Sequence, residues 1–328
     1  MFKAVQINKT EGQYSAALVE LDEQALPEGD VTVEIDYSSI NYKDALAITG
    51  RGPIVRQFPM VPGIDFAGKV IASDSADYKV GDSVLLTGWG VGERHWGGLA
   101  GKARVKSEWL TPLPKNASAK QVMAIGTAGF TAMLCVQALL DHGVKPEEGP
   151  VLVTGAGGGV GSCAAIILST LGYHVVASTG RPQESDWMRE QLGVRDVINR
   201  DELSAPGKPL QKERWVAAVD TVGSHTLSNV CASIRYDGIV AACGMAQGMD
   251  LPATVAPFIL RGVTLRGIDS VMVSTAKRPA IWEKACQYLT PDVLAKLSEE
   301  HPLSEAINVA ENLLNGKVRG RVVIACKA

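Results

Sequence analysis

The sequence predicts an α/β protein of two domains, in which a doubly wound parallel sheet is inserted into a β-rich, barrel-like domain. Three observations predict it. At 328 residues the chain is long for one hydrophobic core, so two domains are the natural expectation. The middle of the chain alternates strand-like and helix-like runs around a glycine cluster, "VLVTGAGGGVGSCAAIILSTLGY" at 151–173. The first third is β-prone and dense in Gly and Pro, and a last β-prone run closes the chain.

In the first third, short runs such as Val31–Tyr37 and Ser83–Leu86 are separated by the turn signals "PEGD", "VPGID" and "KVGDS". Few segments there have helical periodicity, which suggests an irregular barrel-like domain. The pattern changes near Ala119, and apolar positions fall at helical spacing over 119–142. Strand-like runs then appear at 150–155, 173–178, 195–198, 215–221, 238–243 and 263–268. Helix-like segments separate several of them, which means a parallel sheet with helices on both faces. In the helix after the glycines, Val160, Ala164, Ile167, Leu168 and Leu171 share one stripe. The tail adds a helix around Ser304–Asn315 and a strand, Gly320–Cys326, expected to return to the first domain. The expected division is 1–120 with 270–328 for the outer domain and 121–269 for the inserted one.

The bulk numbers exclude some classes. Hydrophobic residues make up 46%, charged residues 20%, and the net charge is -3, so nothing marks a nucleic-acid binder. The start, "MFKAVQINKTEGQ", has no apolar core of a signal peptide. No apolar run is read as long enough to span a bilayer, so the expectation is a cytoplasmic protein without a membrane partner. Six cysteines, at 135, 163, 231, 243, 286 and 326, form no CxxC pair and read as buried structural thiols.

"GAGGGVG" departs from strict G-x-G-x-x-G spacing, giving Ala156-x-Gly158-x-x-Gly161. Ala156 is small enough for the tight turn, Gly158 allows close approach of a pyrophosphate, and Gly161 lets the helix pack on the strand. The helix N-terminus then presents free N–H groups and a positive dipole end to the phosphates. Gly157, Gly159 and Val160 complete the expected cradle for a dinucleotide. An NAD site carries an acid at the end of the second strand. Here that end reads Ser178, Thr179, Gly180, Arg181. Hydroxyls and a guanidinium match a 2′-phosphate, which a carboxylate would repel, so the expected cofactor is NADPH. Arg200, ending the next strand, is a second candidate cation.

Zinc enzymes of this architecture need Cys, His and Glu ligands in the first domain. This chain has no cysteine before Cys135, and "VPGIDFAG" places Ile64-Asp65 where a His-Glu pair is expected. No metal site is predicted. Hydride transfer without a Lewis acid favours reduction of a C=C bond conjugated to a carbonyl, whose enolate can be stabilised by hydrogen bonds.

The motifs "SSINYKDALAITG", "FPMVPGIDFAGKV", "LLTGWGVGERHWGGLA", "GTAGFTAMLCV", "VTGAGGGVGS", "STGR" and "GIDSVM" run in order along the whole chain. Together they resemble the medium-chain dehydrogenase/reductase superfamily, in its zinc-free acrylyl-CoA reductase branch. Thr179 stands where that branch has Ser, which keeps the hydroxyl. The resemblance implies a Rossmann-type domain inserted in a GroES-like one, and NADPH-dependent reduction of acrylyl-CoA to propionyl-CoA. It implies Tyr42 and Asn41 as catalytic residues at the substrate–nicotinamide junction, Tyr42 also touching the cofactor. It further implies Thr127, Gly244, Ser270 and Arg321 as cofactor contacts, and a homodimer. Asp44 could orient its neighbours or be the carboxylate of a helix N-terminus, and Asp220, at the carboxyl edge of the sheet where ligands bind, could equally form a turn. A coenzyme A substrate calls for Lys or Arg at the entrance, with Arg51, Arg56 and Arg94 as candidates. A quinone or enone reductase on the same scaffold, and a non-catalytic NADPH-binding protein, stay open as alternatives.

Overall fold

The computed structural model describes residues 1–327. It forms two compact units, Met1–Thr127 with Ser270–Ala328, and Ala128–Asp269.

The chain opens with an antiparallel hairpin, β1 (Phe2–Thr10) and β2 (Gln13–Leu21). It continues through β3 (Val31–Ile40), α1 (Tyr42–Thr49), β4 (Asp65–Ser73), β5 (Ser83–Thr87), β6 (Lys102–Val105) and β7 (Thr111–Pro112). Helix α1 interrupts the β-rich first third, with Asp44 in its first turn. Its sequence shows why it forms: Asp44 accepts the backbone N–H of Asn41 at 2.9 Å, closing the first turn, and Gly50 at φ 68° ends the last.

Helix α2 (Ala119–His142) crosses from the first unit to the second. The expected division at 120/121 falls inside its first turn, whereas the units part at Thr127/Ala128, just past a break at Gly126. α2 also corrects the expectation that no apolar run reaches bilayer length. Its 24 residues are long and apolar enough, but 83% of the apolar window is buried, as in a core helix.

The second unit runs β8 (Val151–Thr154), α3 (Gly159–Thr170), β9 (Val175–Thr179), α4 (Ser185–Leu192), β10 (Asp196–Asn199), α5 (Asp201–Ser204), β11 (Trp215–Asp220), α6 (Ser224–Ser233), β12 (Ile234–Ala242), α7 (Ala256–Arg261) and β13 (Thr264–Gly267). The six strands form one parallel sheet in the order β10-β9-β8-β11-β12-β13. The order reverses direction between β8 and β11, and ligands bind at the carboxyl ends beside such a switch point. Near-continuous apolar strands such as "VLVT" and "WVAAVD" suit a sheet covered on both faces.

The chain then returns to the first unit through α8 (Arg278–Tyr288), α9 (Pro291–Leu297), β14 (Ser298–Pro302), α10 (Ala306–Leu314) and β15 (Arg321–Ala325). β15 pairs antiparallel with β3, as expected of the closing strand. The resulting sheet has the order β14-β15-β3-β4-β5-β7, with β6 also on β3. Its core joins Val33 and Ile35 of β3, Phe66 of β4, Ile48 of α1, Val309 of α10 and Ile324 of β15. Four of the six cysteines are buried, and burial pushes the Cys231 and Cys326 thiols up to about 12.

Candidate active site

In the first unit, the loop from β3 into α1, the start of β4, the break in α2 and the start of β15 share one buried polar cluster. Asp65 is its hub. Its Oδ1 accepts from Ser39 Oγ at 2.7 Å, and its Oδ2 accepts from Asn41 Nδ2 at 3.1 Å and from the Thr127 N–H at 2.7 Å. Arg321 supplies the cation. Its Nε donates to the Ala124 carbonyl at 2.9 Å, Nη1 to Asn41 Oδ1 at 3.1 Å and Nη2 to Ser39 Oγ at 2.9 Å.

These charges explain the break in α2. Arg321 also reaches the Met123 carbonyl, so a cation sits on the C-terminal carbonyls of the first helical stretch. Asp65 holds an N–H at the start of the second. Each charge complements the dipole end it faces. Gly126 joins the stretches at φ 52°, and a Cβ there would overlap Arg321 Nη2.

Asp44 is buried beneath α1. It accepts from the Asn41 backbone N–H, from Asn41 Nδ2 at 3.2 Å and from the Ile64 N–H at 2.9 Å. Burial, and then the charge of Asp65, push its carboxyl up to about 7 against the pull of those donors.

Two expected site residues are held by protein partners here. Asn41, expected to touch substrate, is 8% exposed, and both ends of its amide bond Asp44, Asp65 and Arg321. Arg321, expected on the cofactor, spends its guanidinium on protein acceptors. Both are internal ties, because buried polar groups are held where their partners are. Tyr42, one residue on, is different. It is 52% exposed, and its hydroxyl has no partner among the described residues. Thr127 opens the second stretch of α2 with its N–H on Asp65. Ser270 lies in a loop gathered by Arg278, which sequence reasoning missed. That buried guanidinium bonds the carbonyls of Thr87, Ser270, Val271 and Val273 and lies 4.8 Å over the Trp89 ring. An arginine beginning a helix carries no signal of such a hub.

In the second unit, Thr154 ends β8. Its hydroxyl donates to Asp220 Oδ1 at 2.7 Å and accepts the Thr221 N–H at 3.0 Å. Asp220 also accepts the Gly223 N–H at 2.8 Å, so it anchors the turn after β11, and burial pushes its carboxyl up. Between these strand ends the glycine loop delivers Ala156, Gly157 and Gly158 to the start of α3. No side chain caps this helix at Gly158, so the N–H groups of Gly159, Val160 and Gly161 point outward. A Cβ at Gly161 would overlap the Gly155 carbonyl, the close helix–strand packing expected of it. A Cβ at Gly158 would meet nothing nearer than that carbonyl at 3.3 Å. That space is open for an approaching phosphate.

Two guanidiniums lean on glycines beside this cradle. Arg181 Nη2 donates to the Gly157 carbonyl at 3.1 Å, and its Nε lies 3.1 Å from Glu184. The Thr179 hydroxyl accepts the Arg181 N–H at 3.0 Å. The Arg200 side chain lies across Gly180, where a Cβ would sit 2.7 Å from its Cζ. The Arg200 guanidinium has no partner among the described residues. No acid ends β9, so the site fits a dinucleotide with an extra phosphate. Gly244 follows β12, and a Cβ there would overlap the Thr221 backbone.

A doubly wound sheet with an uncapped glycine cradle, inserted in a β-rich unit, defines a nucleotide-dependent oxidoreductase class. Residues 27–115 match the alcohol dehydrogenase GroES-like domain, and residues 159–289 match the zinc-binding dehydrogenase family. The chain is 51% identical to the probable acrylyl-CoA reductase AcuI of Escherichia coli (strain K12), over 98% of this chain and 99% of that one. It is 50% identical to the acrylyl-CoA reductase AcuI of Ruegeria pomeroyi over the full length of both. The yhdH oxidoreductase from Salmonella enterica in complex with NADP has a TM-score of 0.97 at 50% identity, over 99% of this chain and 100% of that one. Bacillus subtilis yhfP with NAD bound has a TM-score of 0.93 at 42% identity, over 99% of both chains. The chain belongs to the medium-chain dehydrogenase/reductase family, in the branch of the acrylyl-CoA reductases. The zinc in one family description does not fit these side chains. Among the described residues no group of three or more His, Cys, Asp and Glu is placed to hold a metal ion.

Proposed function

We propose that this chain is an NADPH-dependent, zinc-independent reductase of the C=C bond of acrylyl-CoA, yielding propionyl-CoA. The observation that carries the reading is the full-length similarity, at 50 and 51% identity, to two acrylyl-CoA reductases. Bound at the cradle, NADPH supplies a hydride for the β-carbon of the substrate. The chain's own residues have two tasks. Ala156, Gly157, Gly158, Gly159 and Val160 hold the pyrophosphate with backbone N–H groups, and Arg181, Arg200, Thr179 and Gly180 hold the 2′-phosphate. Thr127, Gly244 and Ser270 line the nicotinamide side. Tyr42 delivers a proton toward the α-carbon, directly or through water. Its exposed, unpartnered hydroxyl supports that role. Asn41, Asp44 and Asp65 fix the first turn of α1 and so aim Tyr42.

The reading includes a homodimer and a cytoplasmic location. The dimer is supported by β13, an end strand of its sheet, with Val255, Ile259 and Leu260 exposed just before it. Sedimentation of the purified protein tests it. The location is supported by the chemistry of cofactor and substrate, whose phosphates keep both from crossing bilayers.

The test of function follows NADPH oxidation with acrylyl-CoA, crotonyl-CoA and 1,4-benzoquinone, with NADH as cofactor control. The expected result is a high kcat/KM on acrylyl-CoA with NADPH strongly preferred. Fast turnover of benzoquinone and slow turnover of acrylyl-CoA would replace the substrate and keep the cofactor. For Tyr42→Phe, the expected result is a kcat at least about ten-fold lower with NADPH binding retained. An unchanged kcat removes Tyr42 as proton donor.

A further inference from the structure

Arg56 and Arg94 of the first unit lie on separate segments that the backbone locks together. The Arg56 N–H donates to the Glu93 carbonyl at 2.8 Å, and the Gln57 side chain donates to the Arg94 carbonyl. The turn carrying Arg94 is itself fixed, since the N–H groups of Glu93 and Arg94 both donate to the Gly90 carbonyl, at 3.2 and 2.9 Å. The nearby carboxylate does not neutralise either arginine. Glu93 is spent on Lys43, at 2.7 Å, which ties the turn to the residue after Tyr42. Both arginines are exposed, and neither guanidinium has a hydrogen bond or ion pair among the described residues. Arg51 differs, because its guanidinium is held by Asn315 at 3.3 Å.

Two guanidiniums without protein partners are thus carried on adjoining, locked segments, where a bound anion would offset the repulsion between like charges. Their planar forks match phosphate oxygens, and a rigid mounting lowers the entropy cost of binding one. We propose that Arg56 and Arg94 form a clasp for the phosphate-bearing end of the acyl thioester, the nucleotide phosphates of coenzyme A. The assignment rests on the acyl-CoA reading above. It adds where the substrate's charged end is held, at the turn that Glu93 ties to Lys43 of α1. The same phosphate chemistry occurs in NADPH, so the test separates the two sources.

The test uses the full chain as wild type, Arg56→Gln, Arg94→Gln and the double variant. Arg195→Gln is the charge control, an exposed arginine of the second unit that is equally unpartnered. Calorimetry on NADPH-loaded protein measures binding of propionyl-CoA and of propionyl-pantetheine, which lacks the nucleotide phosphates. Kinetics measures kcat/KM for acrylyl-CoA and acrylyl-pantetheine. The expected result is that the double variant weakens propionyl-CoA binding at least ten-fold. The ratio of kcat/KM between the CoA and pantetheine substrates falls by a similar factor, and the salt dependence of the CoA reaction flattens. Arg195→Gln keeps the wild-type ratio. An unchanged ratio in a folded double variant overturns the clasp while leaving the acyl-CoA reading intact. Weaker NADPH binding with unchanged CoA binding also overturns it and reassigns the arginines to the cofactor. If the wild type reduces neither thioester but oxidises NADPH with benzoquinone, the acyl-CoA reading fails and the clasp fails with it.

Discussion

The buried cluster of the first unit and the glycine cradle of the second use the same kinds of residue to opposite ends. Around Asp65, every charged group faces another protein group. Arg321, Asn41, Ser39 and Asp44 are tied to one another and to backbone at 2.7–3.4 Å. Around Gly158, donors are left unspent. The N-terminus of α3 lacks a side-chain cap, Arg200 has no partner, and the space above Gly158 is open. Saturation marks scaffolding, because a buried polar group without a partner costs free energy. Unspent donors on a fixed frame mark a binding surface. By this contrast Arg321 is tied into the protein while the Arg200 guanidinium is left without a protein partner among the described residues.

The largest effect should come from breaking the saturated side. Arg321→Met leaves Asp65 without its nearby cation and two helix carbonyls without a donor. Removing one member of a buried charged network costs about 3–5 kcal/mol. Urea unfolding should show that loss, while the remaining folded protein keeps its NADPH affinity. A stable variant with weakened NADPH binding would return Arg321 to the cofactor.

A second break uses pH. The folded-state pKa of Asp44 is raised to about 7, and an unfolded Asp titrates near 3.8. Between these values the folded protein holds a proton that the unfolded chain has lost. The stabilisation from this proton is complete below about pH 4 and disappears as pH rises through about 7. At roughly 1.4 kcal/mol per unit, the swing is on the order of 2–4 kcal/mol. Unfolding free energies measured from pH 4.5 to 8 should fall for wild type. In Asp44→Asn the slope should flatten, with lower stability at low pH, since its amide N–H₂ meets donors from Asn41 or Ile64. Equal slopes in the two proteins would show that burial does not raise this carboxyl.

On the open side, Arg200→Gln should weaken NADPH against NADH by about ten- to a hundred-fold, since a charge-assisted bond to phosphate contributes about 1.5–3 kcal/mol. Arg181→Gln should do less, because that guanidinium is partly engaged by Glu184 and Gly157. The reverse order would mean that Arg181 leaves Glu184 when the cofactor binds. Dissociation constants from cofactor fluorescence separate the two.

The linear sequence carried the second unit well, because its signals are local. Strand alternation, the glycine spacing and the missing acid after β9 all lie within short windows, and the strand order follows from right-handed crossovers. The first unit was legible as β-rich with a returning strand, but α1 was signalled only by the possible helix-start carboxylate of Asp44, since its eight residues have a short apolar pattern. The site roles in that unit were the least legible. Asp65 stood out in "VPGIDFAG" as a missing metal ligand, and Gly126 in "GTAGF" passed as one more helix residue. Their meaning depends on Arg321, far away near the end of the chain, reaching Ala124 and Ser39. No periodicity encodes which buried charge meets which.

The smallest expected effect is the sharpest for the contrast. Gly158 has φ -87°, which any residue adopts, and an added Cβ meets protein no nearer than 3.3 Å. Gly158→Ala should therefore change folding stability by less than about 1 kcal/mol, a shift that Ncap substitutions to Ala commonly produce. The methyl group occupies the space where a phosphate would approach, so NADPH binding should weaken about five- to ten-fold, as expected for about 1–1.4 kcal/mol. Gly161→Ala gives the opposite pattern, because its Cβ collides with the Gly155 carbonyl and the helix must shift off its strand. Thermal melts and NADPH titrations on both variants separate a glycine kept for the ligand from one kept for the fold. If Gly158→Ala binds NADPH like wild type, the open space above it is not where the pyrophosphate lies.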